Sequence, residues 1–284
     1  MKFVELVPGV KSSALAFGCG PVMGSIDRRT SEHAMHVAFD LGVNHFDVAP
    51  AYGYGQAEGV LGAFVASRRN EVVLATKFGF APSLAARLGS PLKPVARKLL
   101  RAMGRTSHQR SGKPAGEGAH KSRLATQMLR RLAINAADLK SSLEQSLARL
   151  RTDRVDYLLL HEPFGPIVEI DEVLQAGASL KAEGKILGLG ISLMLADIAP
   201  HVNYLEEFDV VQTNAPTDAK EAGLLLSLPR GKGLVLFSPF GARPAGLPAE
   251  EMLAGLRAGY ADAVIICSMF TERHIRTNAH VFTN

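Results

Sequence analysis

The chain has 284 residues, of which 47% are hydrophobic, and this size is typical of one α/β barrel or of two smaller domains. Its apolar runs are too short to cross a membrane and its first residues lack the apolar core of a secretory signal, so we expect a cytoplasmic globular protein. The formal net charge of +5 is local, because residues 81–134 hold twelve Lys or Arg and one acidic residue while the rest of the chain is net acidic.

Eight short apolar runs alternate along the chain with segments of helical character. In chain order they cover residues 14–18, 45–49, 71–77, 155–161, 186–192, 210–214, 234–238 and 263–268. Strands that are buried on both faces of a parallel sheet form continuous apolar runs, and eight of them with intervening helices close into a barrel. We therefore predict an α/β protein with a (β/α)8 TIM-barrel fold, in which residues 1–284 form a single domain.

Two of the intervening helices are predicted in some detail. Thr30 and Ser31 are placed to cap the first helix, and Gly42 is placed to end it in the left-handed conformation. A second helix begins at Asp138 and carries a leucine at every third or fourth position, which makes one apolar stripe. Those leucines are Leu139, Leu143, Leu147 and Leu150.

Between the third run and the helix at Asp138 lies a long basic insertion, residues 81–134. Its prolines and glycines break long elements, although residues 95–103 could form a short basic helix. Because it contains no Phe, Tyr or Trp, base stacking has no support, and we predict a mobile surface insertion and no nucleic-acid partner. The loop after the third strand of such barrels normally faces the substrate, so the positive charge of this insertion leaves open the possibility of an anionic substrate.

Polar residues follow three consecutive apolar runs, namely Asp47, Lys77 and His161. Taken singly, each has a structural interpretation: a turn-forming Asp, a Lys that extends to water, and a hydrogen-bonded core His. Active sites of (β/α)8 barrels lie at the carboxyl ends of the strands, and consecutive strands are neighbours, so we expect the three side chains to converge. Tyr52, five residues after Asp47 in a glycine-rich loop, is a fourth candidate.

The order and spacing of several motifs across residues 10–278 closely resemble the aldo-keto reductase family. The motifs are Asp47-x4-Tyr52-Gly53, Ala75-Thr76-Lys77-Phe78-Gly79, the stretch 146–161 that ends in His161, the stretch 184–192, Val211-Gln212-x-Asn214 and Ser238-Pro239-Phe240-Gly241. The resemblance implies an NAD(P)H-dependent oxidoreductase that moves a hydride between a nicotinamide and a carbonyl or alcohol group of an aldehyde, ketone or sugar. It implies no metal.

The resemblance also assigns a catalytic tetrad of Asp47, Tyr52, Lys77 and His161. Tyr52 would be the general acid and base, with its pKa lowered by the Lys77 ammonium. Asp47 would pair with Lys77 and keep a buried cation compensated. His161 would hydrogen-bond the carbonyl oxygen and orient the substrate.

A nicotinamide site without the glycine-rich Rossmann motif is likewise implied by the resemblance. Ser192 and Gln212 would hold the carboxamide, and Phe237 would stack on the ring. The diphosphate and adenosine would lie along Ser238, Phe240, Gly241, Ser268, Arg273, Arg276 and Asn278.

Two departures from the family pattern concern this cofactor site. Leu193 stands where the family usually has Asn, which weakens the case that this site binds the carboxamide. Ser268 and His274 stand where NADP-preferring members often have Lys and Arg, so Arg273 or Arg276 would have to bind the 2′-phosphate. We expect NADP(H) more than NAD(H).

Two other functions stay open at this point. Some family members are non-catalytic nicotinamide-binding regulatory subunits, although an intact tetrad favours an enzyme. The basic insertion could alternatively bind nucleic acid or an anionic surface through its charge.

Overall fold

The computed structural model describes residues 1–83, 129–229, 231–241, 244 and 246–283. The described strands are β1 (Phe3–Glu5), β2 (Lys11–Ser13), β3 (Leu15–Gly18), β4 (His45–Asp47), β5 (Val73–Phe78), β6 (Phe80–Pro82), β7 (Leu129–Arg131), β8 (Tyr157–His161), β9 (Gly188–Leu193), β10 (Val210–Asn214), β11 (Gly233–Phe237) and β12 (Ala263–Cys267). Eight of them close a parallel barrel in the order β3-β4-β5-β8-β9-β10-β11-β12. The predicted (β/α)8 barrel is confirmed, and each predicted strand lies within two residues of its observed bounds.

Helices follow the barrel strands and pack around them. They are α1 (Arg28–Asp40), α2 (Ala57–Val65), α3 (Ala136–Leu150), α4 (Ile170–Ala182), α5 (Ala219–Leu226), α6 (Ala249–Gly259) and α7 (Glu272–Val281). The connection after β9 is a 3₁₀ helix, Ala199–Glu207, and shorter 3₁₀ turns cover Tyr52–Gly55, Arg69–Glu71 and Leu195–Asp197. Within the described ranges, no helix is long and apolar enough to span a membrane.

The predicted leucine stripe of α3 is buried, and Gly42 ends α1 with a φ of 89°. The predicted caps were wrong by a few residues. Asp27 caps α1 by accepting from the backbone N–H of Thr30 at 2.9 Å. Asn135 caps α3 in the same way, accepting from the N–H of Asp138 at 2.8 Å. In both helices an Asp or Asn three residues upstream accepts a hydrogen bond from an unpaired backbone N–H of the first helical turn, which is the ordinary role of an N-cap.

An antiparallel hairpin of β1 and β2, which was not predicted, packs against the first residues of two barrel strands. A Cβ on Gly233, where β11 begins, would lie 2.6 Å from the carbonyl oxygen of Leu6. A Cβ on Gly188, where β9 begins, would lie 3.0 Å from the Val7 side chain. The hairpin therefore covers the amino end of the barrel.

A second hairpin marks the two ends of the predicted basic insertion. Strands β6 and β7 pair antiparallel, with Phe80 opposite Arg131 and Pro82 opposite Leu129. The predicted boundaries at residues 81 and 134 therefore fall in or next to regular structure. Residues 84–128, which include the predicted short basic helix, lie outside the described residues.

His45, at the start of β4, lies in the barrel core with no exposed surface. Its Nδ1 lies 2.7 Å from the hydroxyl oxygen of Ser12, on the hairpin below, and its ring lies 5.8 Å from that of Tyr157. Burial lowers the pKa of His45 to about 4, and Lys77 lowers it while Asp47 raises it. The imidazole is therefore neutral at physiological pH.

Candidate active site

Asp47 and Lys77 form a buried ion pair at the carboxyl ends of β4 and β5. The Lys77 ammonium donates to both carboxylate oxygens, at 2.5 Å to Oδ2, and the two side chains are 5% and 2% exposed. Burial lowers the pKa of Lys77, but Asp47 and Tyr52 raise it by more, so it stands above its usual value. The amide of Gln212, on β10, donates to the same Oδ2 at 2.8 Å. Lys77 is thus a charged, fixed donor.

Tyr52 begins a 3₁₀ turn whose backbone brings its ring to this pair. Gly53 and Tyr54 both lie in the left-handed region, with φ of 57° and 59°. A Cβ on Gly53 would lie 2.3 Å from the carbonyl oxygen of Val22, so the close approach of the two loops requires glycine. The Lys77 ammonium lies 5.5 Å from the centre of the Tyr52 ring. The turn is therefore fixed by packing next to the cation.

Burial raises the pKa of Tyr52, and Lys77 opposes that shift without overcoming it. The effect of Lys77 has the expected sign, but the expected net decrease is not found. Desolvation disfavours the phenolate more than one neighbouring ammonium, itself paired with Asp47, can offset. Tyr52 is therefore protonated at neutral pH and is available as a proton donor.

His161 ends β8 and faces Tyr52 across the site. Their ring centres are 6.0 Å apart in an edge-to-face arrangement, and the Phe80 ring makes a second edge-to-face contact with His161 at 5.1 Å. Burial lowers the pKa of His161 to about 3, with smaller effects in the same direction from Lys77 and Arg131. The imidazole is neutral at physiological pH, so it can donate one N–H but does not act as an imidazolium acid.

The four predicted catalytic side chains line one cavity of about 410 Å³. Seven of the ten predicted cofactor residues line it too, namely Ser192, Gln212, Phe237, Ser238, Phe240, Gly241 and Ser268. The Ser192 hydroxyl donates to Oε1 of Gln212 at 2.6 Å, so a hydroxyl and an amide lie side by side next to Asp47. The Ser192 oxygen can still accept a hydrogen bond and Gln212 keeps a second N–H, which suits a nicotinamide carboxamide, and Phe237 lines the same cavity.

Other residues of the cavity were not predicted from the sequence. They are Gly18, Gly20, Glu162 and Ile266, whereas Pro239, which also lines the cavity, belongs to the predicted cofactor loop at residues 238–241. A Cβ on Gly18 would lie 2.8 Å from the Ile266 side chain and 3.0 Å from the Ser268 hydroxyl, so this strand end has no room for a side chain. The glycine at the end of an apolar run was the available signal.

Three predicted cofactor residues lie outside the cavity, all on α7. Arg276 donates twice to Oε1 of Glu272, at 2.9 and 2.7 Å, and both side chains are largely exposed. Arg273 is exposed on the same helix. Asn278 is buried, with its amide nitrogen 3.7 Å from the Met269 sulfur. The residues predicted to bind the nicotinamide thus line one cavity, whereas the arginines predicted to bind the 2′-phosphate do not line it.

A larger cleft of about 680 Å³ lies between α3 and the β6–β7 hairpin, and it contains none of the predicted site residues. In the part of the chain that the structure describes, no group of three or more His, Cys, Asp or Glu side chains is arranged to hold a metal ion.

The Aldo/keto reductase family model matches residues 14–218 of the chain. Among curated proteins, the chain is 28% identical over 190 residues to aldo-keto reductase YhdN of Bacillus subtilis, covering 65% of this chain and 44% of that protein. It is 28% identical over 196 residues to D-threo-aldose 1-dehydrogenase of a Pseudomonas species, covering 66% and 52%. It is 28% identical over 235 residues to the NADH-specific methylglyoxal reductase of Escherichia coli, covering 79% and 61%. The chain thus spans about half the length of the first two of these relatives.

Two solved structures share the fold over the whole chain. The holo form of aldo-keto reductase AKR11C1 from Bacillus halodurans has a TM-score of 0.69 at 21% identity, covering 100% of this chain and 91% of that one. An aldo-keto reductase from Klebsiella pneumoniae in complex with NADPH has a TM-score of 0.65 at 19% identity, covering 100% and 90%. At these identities the likeness is one of fold.

Proposed function

Because the chain belongs to the aldo/keto reductase family, we propose that it is an NAD(P)H-dependent oxidoreductase that acts on a carbonyl or alcohol group, with Tyr52 as general acid and base. One observation carries the proposal. Tyr52, His161 and the Asp47–Lys77 pair line the same cavity as the hydroxyl and amide of Ser192 and Gln212. In this proposal Tyr52 and neutral His161 contact the carbonyl oxygen of the substrate, Lys77 supplies a buried cation, and Ser192 with Gln212 holds the nicotinamide in the same cavity.

A bound nicotinamide supplies or accepts the hydride, and the residues of the chain manage the proton. As hydride reaches the carbonyl carbon, negative charge develops on the oxygen, and Tyr52 donates its hydroxyl proton there. The Lys77 ammonium compensates the phenolate that remains, and Asp47 keeps that ammonium in place. Neutral His161 donates an N–H to the same oxygen and orients the substrate. In the oxidative direction Tyr52 takes the proton back.

The phenylalanine variant of Tyr52 tests this role, because it removes the proton donor and keeps the ring. Tyr52→Phe should lower kcat at least a hundredfold, the usual contribution of a positioned acid being about 10²–10⁴, and should leave the Kd of the cofactor nearly unchanged. Rates are measured on a panel of aldehydes, ketones and sugars with NADPH and NADH, and Kd by fluorescence titration.

Tyr260→Phe is the matched control, since Tyr260 lies outside the cavity, after α6. If Tyr52→Phe keeps more than about a tenth of the wild-type kcat, Tyr52 is not the acid. A wild-type protein that binds NADPH but reduces nothing on the panel would favour the non-catalytic regulatory role.

For the cofactor, we propose a modest preference for NADP(H). A 2′-phosphate needs cationic donors, and Arg273 and Arg276 are the arginines of α7. Because Glu272 already holds Arg276, a phosphate would have to compete with that carboxylate. The relatives differ in this respect, since the Klebsiella protein was solved with NADPH and the Escherichia coli relative is named NADH-specific.

Fluorescence titration of both reduced cofactors tests the preference. NADPH should bind about tenfold more tightly than NADH, a difference of about 1.4 kcal/mol, and Arg273→Ala or Arg276→Ala should reduce it. Arg154→Ala, just before β8 at the opposite end of the barrel, is the control. Equal wild-type affinities, or NADPH binding that neither α7 variant weakens, would show that these arginines do not bind the phosphate.

A further inference from the structure

The β6–β7 hairpin packs directly on the catalytic histidine. Phe80, in β6, places its ring 5.1 Å from that of His161 in an edge-to-face contact. Gly79, just before it, has a φ of 137°, and a Cβ there would lie 2.7 Å from the carbonyl oxygen of His161. Since only glycine allows this approach, the position of the hairpin relative to His161 is fixed by packing.

The hairpin also holds a guanidinium beside the site. Arg131 pairs with Phe80 across the hairpin, and its guanidinium carbon lies 4.6 Å from the centre of the Phe80 ring and 5.7 Å from that of Phe164. Its Nη1 donates to the carbonyl oxygen of Glu162 at 2.6 Å. Cation–π contacts with two rings and a hydrogen bond give this exposed arginine a defined orientation.

The cation lies next to the catalytic cavity. The Phe80 ring contacts both His161 and Arg131, and Glu162, whose backbone carbonyl oxygen accepts the Arg131 hydrogen bond, lines the cavity. Phe80 and Arg131 themselves lie just outside the residues that line it. A guanidinium has five N–H donors in a plane, and the contacts found in the described ranges use one of them. The remaining donors suit a planar carboxylate, which arginine binds with two parallel hydrogen bonds.

We propose that Arg131 binds a carboxylate group of the substrate, so that the substrate class is carbonyl compounds that also carry a carboxylate. This inference rests on the proposed function and deepens it. A substrate whose carbonyl oxygen is bound by Tyr52 and His161 would extend across the edge of Phe80 and present its carboxylate to Arg131. Glu162 lines the cavity, and a negative charge on it would repel such a ligand, so its removal offers a second test.

Two aldehydes that differ in one carboxylate test the proposal. The selectivity is the ratio of kcat/KM for succinic semialdehyde to kcat/KM for butanal. Arg131→Met should lower this ratio about tenfold or more through the KM of succinic semialdehyde, because a charge-assisted bidentate contact is lost. Glu162→Gln should raise the ratio. Arg130→Met, which removes the neighbouring positive charge on the same strand, should leave the ratio unchanged.

Binding of succinate, followed as the rise in Tm at constant ionic strength, gives a readout that does not require turnover. Succinate should stabilise the wild type more than the Arg131→Met variant, and inorganic phosphate should do so less than succinate. An equal effect of phosphate would overturn the preference for carboxylate.

The outcomes separate the two proposals. If Arg131→Met leaves the ratio unchanged, or lowers kcat for both aldehydes in parallel, Arg131 only positions His161 and the carboxylate site is overturned. If the wild type reduces no carbonyl compound with either cofactor, the proposed function is overturned, and succinate binding that depends on Arg131 would still support the site.

Discussion

Replacing Lys77 with Met removes the cation that faces Asp47 while keeping the length and most of the volume of the side chain. Removing one partner of a buried ion pair costs about 3–5 kcal/mol of unfolding free energy, because the other charge is left uncompensated. Asp47 is 5% exposed and keeps the Gln212 amide as a donor at 2.8 Å, so we expect a loss at the lower end, about 3 kcal/mol.

A second substitution at Asp47 should restore part of the stability that Lys77→Met loses. Asp47→Asn in the Lys77→Met background removes the stranded charge, so the double variant should recover about 2 kcal/mol relative to Lys77→Met alone. Neither variant should turn over substrate, because both lack the ammonium beside Tyr52. Guanidinium unfolding followed by circular dichroism gives the free energies, and rates with NADPH give the activity.

An exposed ion pair supplies the control for charge removal. Arg28 and Glu32 on α1 are paired at 2.7 Å with side chains 57% and 38% exposed, so Arg28→Met should cost less than about 1 kcal/mol. A double variant that is less stable than Lys77→Met would refute the argument, since the Asp47 charge would then not be the source of the loss.

Two further predictions concern His45 and Gly53. The pKa of His45 is about 4 in the folded protein and 6.5 in its ordinary state, so the unfolded chain binds a proton at higher pH than the folded one. The free energy of unfolding therefore falls as the pH drops from 6.5 towards 4. His45→Gln should reduce the decrease in unfolding free energy between pH 7.5 and pH 5 by about 2 kcal/mol. Denaturant unfolding at both pH values measures it with the exposed His33→Gln as control, and an unchanged loss would contradict it. Gly53→Ala should lower both Tm and kcat/KM, because its methyl group would clash with the Val22 carbonyl oxygen and displace Tyr52. Gly59→Ala is the control and should lower neither, because a Cβ there meets nothing within 4 Å. Equal effects of the two substitutions would refute the role of the turn.

The barrel and the convergence of the tetrad could be predicted because both follow from short-range sequence features. Residues 157–160 form one continuous apolar run, and the polar residue that ends such a strand in a parallel barrel lies at the carboxyl end of the barrel, where the active site forms. The β1–β2 hairpin gave no such signal, because Lys11–Ser13 is polar and three residues long. The hairpin is held by its packing on the amino end of the barrel, and this long-range contact leaves no signal in the local sequence.

The electrostatics of the site depended on distances that the sequence does not hold. Lys77 beside Tyr52 suggested a lowered phenol pKa, but burial of the ring outweighs a cation that Asp47 already neutralises. Likewise, the pairing of Arg131 with Phe80 joins two residues that are about fifty positions apart in the chain, at the two ends of the basic insertion. In contrast, the contact of Arg276 with Glu272 is an i,i+4 helix pair and was available from spacing alone.

The hydrogen bond from Gln212 to Asp47 has a consequence for protein engineering. Gln212 is proposed to bind the carboxamide, and its amide also donates to the carboxylate that holds Lys77, so the proposed cofactor contact and the proposed proton transfer would depend on one side chain. Substituting Gln212 to relax cofactor use would alter the surroundings of the ammonium as well. Redesign of cofactor choice is therefore better directed to Arg273 and Arg276, which lie outside the cavity and can be changed without disturbing the Asp47–Lys77 ion pair.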